Sequence, residues 1–402
     1  MTLSTRGSFW TAAAVAGLAL WASGAPTVVY PLYAAEWRVD PAVTTAIFAI
    51  YPLVLVPVLI VFGNLSDVIG RRAVILLGIG ALAVGSIAFG LAPDLLWVFI
   101  GRAFMGLGVG LALSPATAAM VEFGGPDGAR RASSTTTAAT ATGLALATIV
   151  GGALVQYAPI PLHLTFWVLT AVTLLVGAFA FALPRHTRDE ASGPWRPRLP
   201  RMPREERAPF VAGTLGVSAA YAMGAIFLAL GAQVARDLVH SDDVFVDGLV
   251  LAVSAVVIGV VAIAARGLRP RVAVSVGPVF LAGGLGLLIV AGLAHSLPAF
   301  LGASIAAGAG YSLMFSGGLG LVTGSAPVHE RAAVISAAYV VAYLFQAAAA
   351  LGLGAVATSA GLQAALDVGA PAIVLIGVAA VVVANLPGRR AVATNTAAVP
   401  TA

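Results

Sequence analysis

The chain has 402 residues, of which 60% are hydrophobic and only 9% charged, and its mean hydropathy is +1.01. A soluble protein carries about a quarter charged residues, so the composition excludes a water-soluble globular domain. All 21 basic residues are arginine and cysteine is absent, which removes a disulfide framework, a thiolate metal site and a thiol nucleophile. The formal net charge of +5 reflects where the arginines sit and implies no nucleic-acid partner.

Apolar runs of about 20 residues, long enough to cross a ~30 Å hydrocarbon core, recur along the whole sequence. They fall at 8–34, 41–62, 73–92, 95–122, 132–157, 162–183, 209–235, 244–265, 272–293, 297–322, 332–357 and 363–386. The expectation is an all-α membrane protein with twelve transmembrane helices. The first run follows Arg6 as a signal peptide would. It continues to about Ala34, without a short apolar stretch and small-residue cleavage site, and is read as a retained span.

In chain order, span 1 places Ser23, Thr27 and Tyr30 on one face, and span 2 carries Tyr51. The next loop reads GNLSDVIGRR at 63–72. Gly63 and Gly70 allow a tight turn, and Arg71 and Arg72 would anchor a cytoplasmic loop. Anchoring explains neither Asp67 nor the glycine spacing. Span 4 holds Arg102, the one basic residue within a span. An intramembrane charge is functional by default; the alternative is snorkelling, since Arg102 lies about 12 Å along the helix from Asp94. Gly106 and Gly108 follow on the same span, and Glu122 closes it. Span 5 carries GLALATIVGG at 143–152, where Gly143, Gly151 and Gly152 form a small-residue face for close packing.

The polar segment 184–208 holds seven arginines and divides the chain. Residues 1–183 and 209–388 are expected to form two six-helix bundles, 184–208 an extended cytoplasmic linker, and 389–402 a disordered cytoplasmic tail. Tyr221 lies in span 7, and Tyr311, Ser312 and Met314 in span 10. Tyr339, Tyr343 and Gln346 share a face of span 11. Singly, each of these fits interhelical hydrogen bonding as well as ligand contact. As stripes they suggest a cavity for a moderately apolar small molecule.

Placing the N-terminus in the cytoplasm puts there Arg6, Arg71, Arg72, Arg130, Arg131, the arginines of the linker, Arg266, Arg269, Arg271, Arg331, Arg389 and Arg390. Only Arg38 and Arg236 then face out, which obeys the positive-inside rule. The halves also repeat. Shifted by 202 residues, Gly106 meets Gly308, Gly108 meets Gly310, Ser114 meets Ser316 and Arg102 meets Ser304, and the following loops also match, Arg131 with Arg331. Parallel repeats of this kind are a transporter plan with the substrate site between halves near the midplane.

The loop 63–72 resembles the signature G-x-L-a-D-r-x-G-r-k of the major facilitator superfamily, with Gly63, Leu65, Ser66, Asp67, Gly70, Arg71 and Arg72 in place and Val68 for the usual basic residue. VFIGRAFMGLGVG resembles the family's helix-4 pattern through Val98, Arg102, Gly106 and Gly108. Span 5 matches the antiporter signature at Gly143, Gly151 and Gly152 but has Ala147 and Thr148 where that signature has Gly-Pro. The resemblance is to the twelve-helix drug/proton antiporter branch. It implies a gate in which Asp67 meets the start of helix 11 near Arg331, the loop arginine pairs with Glu122, and Arg131 takes part. It ties Arg102, with Asp67, to proton coupling.

The implied protein is no enzyme. It is a bacterial-type plasma-membrane exporter with both termini cytoplasmic, acting as a monomer among membrane lipids and exchanging protons for a small molecule, as in multidrug resistance. Uptake or facilitated diffusion of a sugar-like or organic-acid solute is the alternative, and a non-transporting receptor a third. No cofactor, ATP site or metal site is expected: there is no phosphate loop, and the histidines lack metal spacing. No carboxylate is expected well inside any span, since Glu36, Asp94 and Asp367 fall at outer ends, Asp67 and Glu122 at inner ends, and Asp237, Asp242, Asp243 and Asp247 in or beside an outer loop. Neutral or anionic ligands then fit better than lipophilic cations.

Overall fold

The computed structural model describes residues 3–126, 128–185, 207–325 and 331–386, with the side chains at 67, 128–130, 133–134 and 331–333 outside the description. The tail 389–402, and all of the linker except its ends, also lie outside the described residues. Every regular element among the described residues is a helix. Eleven of these helices are long and apolar enough to cross a membrane. Large apolar side chains such as Leu174, Phe179, Val279, Leu293 and Leu375 stand exposed on their outward faces. In water that much exposed apolar surface would be a liability; against lipid it is the expected contact.

The expected first span is not continuous. It divides into α1 (Thr5–Gly24) and α2 (Tyr30–Trp37), with turns at 25–29. Pro26 falls in the break and Pro31 opens α2; neither can donate a ladder hydrogen bond. Then follow α3 (Pro41–Phe62), a single turn α4 (Ser66–Ile69) inside the motif loop, α5 (Arg71–Gly90), α6 (Leu95–Phe123), α7 (Gly128–Tyr157) and α8 (Leu164–Phe181). After the linker comes α9 (Arg207–Ala225). It loosens into two π-helical turns, Ile226–Leu230 and Val234–Leu238, around α10 (Gly231–Gln233). The chain ends with α11 (Val244–Ala264), α12 (Pro270–Leu293), α13 (Leu297–Gly324), α14 (Arg331–Ala360) and α15 (Leu362–Asn385).

Several helices start on side-chain caps, which satisfy N–H groups left without a helical partner. Asp40 accepts from Val43 N, Asp94 from Leu96 N and Trp97 N, Asp243 from Phe245 N and Val246 N, and Ser296 from Ala299 N. Asp94 and Ser296 stand at repeat-equivalent positions, so the two equivalent helices start on side-chain caps at the same place.

The repeat is also visible in the packing. A Cβ on Gly106 would strike the carbonyl oxygen of Tyr51 on α3, and one on Gly308 would meet that of Ser254 on α11 at 2.8 Å. Likewise Gly108 lies on Gly78 of α5 and Gly310 on Leu281 of α12. The same glycine spacing lets each central helix seat on the same two neighbours.

Two seams join the first eight helices to the rest, α3 against α14 and α7 against α11. At the end remote from residues 63–72 they are tightly closed. Ala42 N donates to Thr358 Oγ1 at 2.9 Å, Val244 N to Gln156 Oε1 at 3.0 Å, and Thr27 Oγ1 to Leu228 O at 3.0 Å. Gly354 abuts Thr45, and Gly248 lies against the Thr148 carbonyl.

Candidate functional site

Arg102 sits in the interior of α6 with no solvent exposure. Its Nη1 donates to the Ser23 carbonyl at 2.9 Å, where α1 approaches its end. Its guanidinium carbon lies 4.7 Å from the ring centre of Tyr51 and 5.3 Å from that of Phe48. Nε and Nη2 have no hydrogen-bond partner among the described residues, nor has the buried Tyr30 hydroxyl. A buried unpaired guanidinium costs several kcal/mol even after relaxation, and cation–π contacts return ~0.5–2 kcal/mol each. Two orphaned N–H groups therefore leave the site electrostatically incomplete. The snorkelling alternative does not fit this geometry, since the head group bonds inward to α1 and reaches no solvent.

Across from it is an aromatic cluster built by α9, α13 and α14. Tyr221 stacks on Phe315 with ring centres 5.9 Å apart and on Tyr311 at 6.4 Å. Tyr343 tilts against it at 4.8 Å, and Tyr339 lies at 6.4 Å. Gln346 is buried beside Gly224, its Oε1 without a partner among the described residues. Tyr51 lies on the side of Arg102 nearer Tyr311 and Tyr343. Three-and-four spacing on α14 gathered Tyr339, Tyr343 and Gln346 in the sequence. Phe48 and Phe315 carried no signal there, because an aromatic residue in an apolar span does not reveal which neighbour it faces.

The other predicted residues are placed as follows. Thr27 bonds across to the backbone of the π-turn at Leu228. Ser312 is buried and donates to Ile258 O at 2.9 Å, and Met314 packs under Gly277 and Gly216; both serve helix contacts inside one half. The span 5 glycines divide their work. Gly143 lies against Gly17 and Gly151 against Val28, whereas Gly152 faces Val244 and Gly248 across the seam.

In the motif loop, Gly70 has φ +96°, a conformation that favours glycine. Arg71 Nε donates to Glu122 Oε1 at 3.1 Å and its Nη1 to Ser66 Oγ at 2.7 Å. Arg72 donates to Leu183 O at 3.3 Å and lies 4.6 Å over the Phe181 ring. Arg131 donates to Gly124 O at 2.9 Å and lies over Phe9. Gly63 stands at the end of α3 against Leu59. The expected meeting of Asp67 with the start of helix 11 near Arg331 involves side chains outside the described residues.

One expectation changes. Asp247 does not remain in a polar loop. It is one turn into α11, only 3% exposed, and its Oδ1 has no hydrogen-bond partner among the described residues. The sequence hid this because Asp242 and Asp243 beside it suggest a solvated acidic loop.

Residues 9–277 match the sequence profile of the Major Facilitator Superfamily. The chain belongs to that family of membrane transporters. It is 32% identical over 173 residues to the multidrug efflux pump LfrA of Mycolicibacterium smegmatis, a match covering 42% of this chain and 33% of the pump, so the chain is compared with only about a third of that relative. Among solved structures it is similar to a bacterial homologue of the human lysosomal transporter Spinster in an inward-facing, occupied conformation (TM-score 0.71, 14% identity, 94% of this chain and 95% of that one). It is also similar to a peptide transporter, POT (0.75, 18%, 95% and 94%), and to the nucleoside transporter NupG (0.75, 12%, 94% and 100%). At these identities the likeness is one of fold.

Proposed function

We propose that the protein exports a small, moderately apolar molecule across a bacterial-type plasma membrane by alternating access, in exchange for protons. What supports this reading is the closed seam at one end, together with a buried arginine on α6 and a tyrosine cluster on α9, α13 and α14. Rocking the halves about those residues would open them to each side in turn. In this reading α1 and α2 together form the first of twelve spans, residues 1–183 and 209–388 are the moving bundles, both termini are cytoplasmic, and the motif end faces the cytoplasm.

Gly63, Asp67, Gly70, Arg71, Arg72, Glu122, Arg131 and Arg331 form the cytoplasmic gate. Ser23, Thr27, Tyr30, Tyr51, Tyr221, Tyr311, Tyr339, Tyr343 and Gln346 border the path, with Ser312 and Met314 behind them. Arg102 and Asp67 govern coupling; arginine holds its proton at any physiological pH, so Arg102 acts by favouring a nearby anion. The partial likeness to an efflux pump supports export. Uptake of an organic acid or sugar-like solute is the competing direction.

The test uses proteoliposomes with an imposed pH gradient and a panel of solutes. Solute-dependent collapse of the gradient, lost in Asp67→Asn, is the expected result. Flux indifferent to the gradient removes the coupling, and no flux for any solute removes the transporter reading.

A further inference from the structure

Arg102 raises a question that proton coupling does not answer. The residue presents a planar fork of donors, of which one arm is fixed by the Ser23 carbonyl. The other edge, Nε–H with Nη2–H, is unpartnered and buried. That edge has the spacing of two carboxylate oxygens, which guanidinium groups bind through two parallel N–H···O bonds. Asp94, on the same chain segment, is occupied in capping α6, and no carboxylate among the described residues bonds the fork.

The surroundings add shape to the site. Tyr30 is 1% exposed and near Arg102, and its hydroxyl has no partner among the described residues. Phe48 and Tyr51 cover the guanidinium face, and Tyr51 leads to the tyrosines of the opposite half. The site is one-sided as well. The repeat-equivalent residue of Arg102 is Ser304, fully buried with its Oγ unpartnered among the described residues, so no charge stands at the equivalent place in the second half.

We propose that Arg102 is the receptor for a substrate carboxylate: Nε–H and Nη2–H take its two oxygens, the Tyr30 hydroxyl donates a third hydrogen bond, and the apolar remainder extends past Tyr51 toward the Tyr221 cluster. The substrate class is an apolar or aromatic monocarboxylate. The inference rests on the transport reading for the word substrate; the binding site itself does not.

The experiment uses the purified full-length chain in detergent, with binding followed by calorimetry and by thermal unfolding. The probes are benzoate, 4-phenylbutyrate and octanoate, with benzamide and benzylamine as neutral and cationic controls and chloride as a small inorganic anion. At least one carboxylate should bind and raise the unfolding temperature, with benzamide and benzylamine weaker by about tenfold or more. Arg102→Lys, which keeps the charge and loses the fork, should weaken the carboxylate by about tenfold, and Tyr30→Phe by a few-fold. Arg102→Met should abolish binding; if it does not fold, the lysine and phenylalanine variants decide.

Benzamide binding as tightly as benzoate, unchanged carboxylate affinity in Arg102→Lys and Tyr30→Phe, or failure of all three carboxylates to bind would each overturn the proposal. Chloride protecting as well as the carboxylates would replace it with a structural halide site. Flux of a neutral solute without carboxylate binding would leave the transporter reading intact and remove this one. Carboxylate binding without flux would do the opposite.

Discussion

Arg71 and Glu122 are joined by a 3.1 Å ion pair that ties the motif loop to the end of α6, with each side chain 23% exposed. The same guanidinium bonds Ser66 in the loop's single helical turn. One residue therefore fixes the loop to itself and to the neighbouring helix.

Partly exposed pairs contribute about 0–1 kcal/mol. Glu122→Gln should therefore lower stability by no more than about that amount, read as a small change in unfolding temperature. If the pair belongs to the gate, transport in proteoliposomes should fall severalfold in the same variant. An unchanged rate would reduce the pair to an anchor.

Gly70 precedes α5 in a backbone conformation that is essentially reserved for glycine. Gly70→Ala should cost of order 1–3 kcal/mol, measured by thermal or denaturant unfolding. The comparison is Gly80→Ala in α5, where an added Cβ meets nothing within 4 Å and φ is negative; that change should be neutral or slightly stabilising.

The seam between α3 and α14 depends on Gly354, whose added Cβ would meet the Thr45 hydroxyl and the Ala42 backbone. Gly354→Val should push this end apart and raise the share of molecules open there. With no native cysteine, spin labels at Val39→Cys and Ser359→Cys report the distance directly. An unaltered distance distribution would show that the seam yields elsewhere.

Asp243 and Asp247 sit four residues apart and should respond oppositely. Asp243 caps two N–H groups of α11, so Asp243→Ala should destabilise by about 0.5–2 kcal/mol. Asp247 is buried with an unpartnered oxygen, so Asp247→Asn, which keeps the shape without the charge, should leave stability equal or higher. Unfolding temperatures measured side by side check both. A large loss in Asp247→Asn would mean that the Ser241 hydrogen bond to its carboxylate outweighs the burial.

Much was legible in sequence because bilayer physics constrains it. Unpaired backbone groups cannot face hydrocarbon, so long apolar stretches must become helices, and α3, α5, α6, α12 and α15 lie close to where hydropathy puts them. The break at 25–29 and the π-turns after Ala225 were not legible, since hydropathy averages over a whole span. Pro26 marks the first only once its turn is seen; no residue type marks the second. In the site, Arg102 and the Tyr339–Tyr343–Gln346 stripe stood out by charge and spacing. Phe48, Phe315 and Asp247 did not.

The sequence alone determined the membrane class, the arginine bias that proposes an orientation, the repeat, and the family-like loop. Each is a property of composition or of local order along the chain. Which arms of Arg102 are satisfied, which arginine holds Glu122, and which end of the seams is shut depended on the tertiary structure. These are relations between residues far apart in sequence. A hydrogen bond forms or fails over a few tenths of an ångström, which spacing along a helix cannot specify.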